Sequence, residues 1–139
     1  MGIEIANEAI KTAEDWISTA ETMLDKKIFN IALYSEEMGV QIALKAVMLS
    51  MGIEPPKTHN IIESLEATVL DSSRFPKKYK EDLKEITRSL LPELLRNRQM
   101  SGYTFNFRID KKDLEILATR YFQRSKETIA LCKKIVRIH

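Results

Sequence analysis

Two groups of residues in this 139-residue chain carry side chains able to do chemistry. One surrounds residues 99–109, which hold Tyr103, Phe105 and Phe107 and are flanked by Arg96, Arg98, Arg108, Lys111 and Lys112. Arginine beside aromatic rings can hold a phosphate and stack a base. The plainer alternative is solvated cations at a helix end, with the rings tucked into the core. Arg98 and Tyr103 are the pair on which binding would turn, with Arg108 beside them. The second group is Glu36, Glu37, Gln41 and Lys45. Glu37, Gln41 and Lys45 are spaced i, i+4, i+8, which lines them along one helical face. They read either as an intrahelical polar ladder buried at a contact or as the wall of a nucleotide-sized groove. A buried charge needs a partner, which favours the ladder.

Other chemistries find little support. Cys132 is the one cysteine, so no internal disulfide and no Cys-based zinc site can form within the chain. The two histidines, His59 and His139, have no companion ligands at useful spacing, so neither a metal nor a cofactor is expected. No Ser-His-Asp or Cys-His set is evident, and the glycines form no phosphate-cradling loop. His59 follows Thr58 and reads as a helix-start residue.

These groups must be positioned by helices. Apolar residues recur every three to four positions over 4–25, from Ala6 through Ile10, Ala13, Ile17 and Ala20 to Leu24. Residues 28–51 carry two apolar rows. One is Phe29, Leu33, Val40, Leu44, Val47 and Met51; the other is Ile31, Ser35, Met38, Ile42, Ala46 and Leu49. Two rows imply at least two packing neighbours. Gly39, in the middle, costs roughly 1 kcal/mol against alanine, which close helix approach would offset. Gly52 and Pro55-Pro56 end that helix. A short helix is expected over 59–70 with Thr58 as its N-cap. A fourth is expected over 76–98, with Pro76 at its first position and a kink or break at Pro92. A last helix is expected over 111–137, capped by Asp110. The expected fold is all-α: an up-and-down antiparallel bundle of about five helices forming one domain over 1–139.

Composition agrees, at 44% hydrophobic and 30% charged with only four Gly and four Pro. No run of about 18 apolar residues offers a membrane span. The first residues lack a basic region followed by an apolar one, so a secretory signal is not expected and a cytoplasmic location is the default. The net charge of +2 hides a split: residues 1–70 carry −6 and residues 71–139 carry +8, with every arginine at or beyond position 74. The two halves can neutralise each other within one chain or across a dimer. Alternatively, the basic half serves phosphates or an acidic partner.

The pattern resembles the HEPN family of small all-α domains. The matching residues are Ala32, Glu37, Gly39, Gln41, Ala43, Leu44, Lys45 and Ala46 on the second helix. Pro55, Pro56, Thr58 and His59 then match the loop before the third. Arg98 followed by Tyr103 falls where the family often has arginine followed by His or Tyr. The resemblance implies an interaction module beside a minimal nucleotidyltransferase in a two-component, toxin–antitoxin-like system, and the charge split and the doubly apolar second helix lead us to expect a homodimer paired through the first and second helices. It also implies, as an alternative, a nucleotide- or RNA-binding cleft at a dimer interface. The family's metal-independent ribonucleases use Arg-x(4–6)-His, and no histidine here follows an arginine at that spacing. Tyrosine, titrating near pH ~10, is a poor general base at neutrality. The ribonuclease reading is therefore the least favoured of the three.

Overall fold

A computed structural model describes residues 2–58, 60–98 and 110–139. Six α-helical segments run through them: α1 (Gly2–Asp25), α2 (Phe29–Ser50), α3 (Ile62–Leu65), α4 (Lys77–Glu85), α5 (Leu91–Arg96) and α6 (Lys111–Ile138). Two π-helical turns extend them. Glu66–Leu70 continues α3, and Ile86–Leu90 joins α4 to α5 in one rod. Five rods thus stand among the described residues, and none of these residues is in a strand.

α2 is the centre of the bundle. Its first apolar row is wholly buried, from Phe29 and Leu33 to Val47 and Met51. Gly39 supplies the close approach its cost required. A Cβ there would lie 3.1 Å from Ile129 Cδ1, 3.3 Å from the Ala13 carbonyl oxygen and 3.4 Å from Trp16 Cβ. The absent side chain is therefore what lets α1 and α6 both close on α2. The second row behaves differently. Ser35 and Ala46 are buried, but Met38, Ile42 and Leu49 are half-buried and Ile31 is exposed. This side of α2 is only partly covered by the chain itself.

The corners follow local chemistry. Lys27 takes a positive φ of 60° in the polar turn after α1, and Gly52 takes 76° after α2, the left-handed stop for which glycine is suited. Arg74 Nη2 donates to the Met51 carbonyl at 2.9 Å, tying the turn before α4 to the end of α2. Asp110 caps α6 as expected, accepting from the Lys112 N–H at 3.0 Å.

Three local expectations need correction. The third helix starts at Ile62, so Thr58 does not cap it. Its hydroxyl instead donates to the Asn60 carbonyl at 3.0 Å, while the Asn60 side chain accepts from the Ile62 N–H at 3.3 Å. Asn60, two residues before Ile62, is placed to accept from its N–H in an Asx turn, which Thr58 is not. Pro76 sits just before the helix, in extended conformation, because α4 begins at Lys77. The disturbance expected at Pro92 falls before it, as the π turn over Ile86–Leu90. Proline lacks the N–H that would return to the preceding turn, and a widened turn absorbs that loss without ending the rod. Buried Thr87 supports the region by donating its hydroxyl to the Leu83 carbonyl at 2.8 Å.

Ion pairs bind the rods at their edges. Arg124 of α6 donates to Glu85 at 2.7 Å, with Glu93 at 3.9 Å, and Lys133 of α6 reaches Glu14 of α1 at 3.0 Å. Part of the acidic–basic split seen in the sequence is thus resolved within one chain.

Candidate functional site

The helical face of Glu37, Gln41 and Lys45 forms as the spacing requires. Gln41 Nε2 donates to Glu37 Oε1 at 3.3 Å. Glu37 is 1% exposed and Gln41 3% exposed, so the ladder is buried within a lone subunit. Lys45 is half-buried. Loss of hydration lowers its ammonium pKa, and the nearby Glu37 charge opposes that shift.

Arg98, two residues beyond α5, completes the cluster. Its Nη1 donates to the same Glu37 oxygen at 2.7 Å, a charge-assisted bond. Its guanidinium carbon also lies 5.2 Å from the centroid of the Tyr34 ring, within cation–π range. Tyr34 in turn meets Trp16 of α1 edge-on, with centroids 6.1 Å apart and planes at 73°. A chain of contacts thus runs from α1 through α2 to the residue that opens the 99–109 segment. The Arg98 side chain is 27% exposed, against 2% for that of Glu37.

Sequence reasoning found Glu37, Gln41, Lys45 and Arg98, and the structure brings them together. It passed over Tyr34 as a member of the cluster. The signal was present: Tyr34 stands three residues before Glu37, hence on the same face. Tyr103, Arg108 and His59 lie outside the described residues. Arg96, Lys111 and Lys112 are exposed.

Glu36 departs from the ladder. It is fully buried, and neither carboxyl oxygen has a hydrogen-bond partner among the described residues. Burial pushes its pKa up to about 9, so the group is held as a neutral acid at pH 7. The Ser35 and Ser125 hydroxyls are likewise buried without a partner among the described residues.

In chemical terms the cluster is a cation held between a buried carboxylate and an aromatic ring. Among the described residues, no group of three or more His, Cys, Asp or Glu is placed to hold a metal ion. No helix among them is long and apolar enough to cross a membrane.

Comparison with protein families gives a match to the HEPN domain over residues 6–136. Comparison with curated proteins and with solved structures gives no significant match.

Proposed function

This chain belongs to the HEPN domain family, and from that premise we propose that it works as a homodimeric interaction module rather than a ribonuclease. Its partner on this reading is a minimal nucleotidyltransferase, in a two-component, toxin–antitoxin-like arrangement. The observation that carries the reading is the state of Arg98. The arginine at the family's motif position is bound to buried Glu37 at 2.7 Å and packed on Tyr34. No histidine follows it with four to six residues between them. An arginine so anchored serves as a fixed recognition element, and the general base that would pair with it in catalysis is missing from the motif. The partly open row of α2, Ile31, Met38, Ile42 and Leu49, supports pairing of two copies through α1 and α2.

Sedimentation at micromolar concentration tests the assembly: a dimer is expected, and a monomer overturns that part of the reading. Incubation with mixed RNA oligonucleotides in EDTA tests the chemistry. Intact RNA is expected, and cleavage that disappears in Arg98→Ala overturns the non-catalytic reading. Co-expression with a nucleotidyltransferase encoded beside it should give a complex that Arg98→Glu weakens. A titration with ATP and with single-stranded RNA at low salt addresses the alternative ligand. Saturable binding lost in Arg98→Ala would favour a nucleotide- or RNA-binding cleft over a protein-binding one.

A further inference from the structure

A groove of about 390 Å³ runs between α1 and α6, on residues that take no part in the Arg98 cluster. Its floor is aliphatic, made by Ile17, Ile129 and Ala130. Its rim is cationic, with Lys126, Lys133, Lys134 and Arg137 against the single carboxylate of Glu14. Glu14 already pairs with Lys133 at 3.0 Å, which holds the two walls together. Lys126, Lys134 and Arg137 are exposed and form no ion pair among the described residues. Cations in a last helical turn offset the helix dipole, which accounts for Arg137 but not for Lys126, three turns earlier.

We propose that this groove docks an acidic amphipathic helix of a partner protein. The spacing suits that occupant. Lys126, Ala130, Lys133 and Arg137 share one face of α6 at four-three-four intervals, so the cations flank the small Ala130 along the helix. They span roughly 16 Å, about three turns of a partner helix. Exposed Ala130 is small and lies between long cationic side chains, so an apolar residue of the partner can seat on it while flanking carboxylates meet Lys126, Lys134 and Arg137. Single-stranded RNA fits less well. The cations would suit its phosphates, but none of the groove's lining residues is aromatic and so none can stack a base. The patch is short, so the contact is a transient one in the micromolar range rather than an obligate interface. This surface is independent of the role given to Arg98.

The test uses the full-length protein and a labelled helical peptide of about 20 residues, with leucines on one face and glutamates flanking them, followed by anisotropy at low salt. Saturable micromolar binding is expected. Lys134→Glu combined with Arg137→Glu should weaken it by roughly tenfold or more, and Ala130→Glu should weaken it similarly. Lys77→Glu, an exposed change of the same kind on α4, should leave it unchanged, and circular dichroism confirms that each variant is folded. A peptide of the same composition with scrambled leucines should lose most of the affinity. No saturation by about 100 μM overturns the proposal. So does equal binding by the charge-reversed groove variants, or equal loss in Lys77→Glu. A uridine oligonucleotide that binds more tightly than the peptide through the same lysines overturns it in favour of nucleic acid.

Discussion

Arg98 and Glu37 stand 61 residues apart in the chain and 2.7 Å apart at Nη1 and Oε1. One end of this pair is 27% exposed and the other 2% exposed at its side chain, so the two ends are not equivalent. Removing the arginine takes a charge-assisted bond from a buried carboxylate, whereas removing the carboxylate takes it from a side chain that is partly exposed. Arg98→Ala should therefore destabilise the fold by about 2–3 kcal/mol. Adding Glu37→Gln in the same chain should restore at least half of that, because a neutral amide needs no countercharge. Urea unfolding of the two single variants and the double variant reads this directly. Additive losses in the double variant would show that the pair is not coupled.

Glu36 gives a pH dependence with a definite sign. Its carboxyl is held protonated in the fold up to about pH 9, against an ordinary value of 4.5. Below the ordinary value it is protonated in both states and does not oppose folding. As the pH rises from there towards 9, the unfolded chain ionises and the folded one does not, so stability falls by up to about 1.4 kcal/mol per pH unit. Glu36→Gln should flatten the profile of urea midpoints across this window. Glu36→Met should raise stability near neutral pH by about 1–3 kcal/mol, since an apolar side chain of similar size replaces an acid with no hydrogen-bond partner among the described residues. A wild-type midpoint that rises from pH 5 to 8 would refute the assignment.

Gly39 separates helix propensity from packing. Alanine there gains roughly 1 kcal/mol of propensity but brings a Cβ within 3.3 Å of the Ala13 carbonyl oxygen, so its net effect should be small. Gly39→Val adds two further carbons to the same contact and should cost about 2–3 kcal/mol by forcing α1 and α6 off α2. The thermal midpoints of the two variants should differ clearly, with valine the lower.

Cys132 should be chemically silent in the folded protein. It is fully buried, and burial pushes its thiol pKa up to about 12, so little thiolate exists at neutral pH. Labelling by a thiol-reactive dye should be negligible in native buffer and should rise along the same urea curve as unfolding. Rapid labelling without denaturant would contradict this burial.

The sequence by itself determined the helical class, the helix order and the pairings that lie within one helix. Period and punctuation are local: the rows of α1 and α2, the stop at Gly52 and the cap at Asp110 each depend on neighbours a few residues away. The Glu37–Gln41 pair was legible for the same reason, since i, i+4 spacing on a helix fixes proximity. Only the tertiary structure decided that Arg98 meets Glu37 and Tyr34, because no local period links residues 61 apart. It also turned Glu36 into the core while its neighbour Glu37 found a partner. Adjacent helical positions point about 100° apart, and which direction is buried depends on where the other rods lie. The α1–α6 groove belongs to the same category. Glu14 and Ile17 come from α1 and the rest of its lining from α6, at opposite ends of the sequence, and only packing places them side by side.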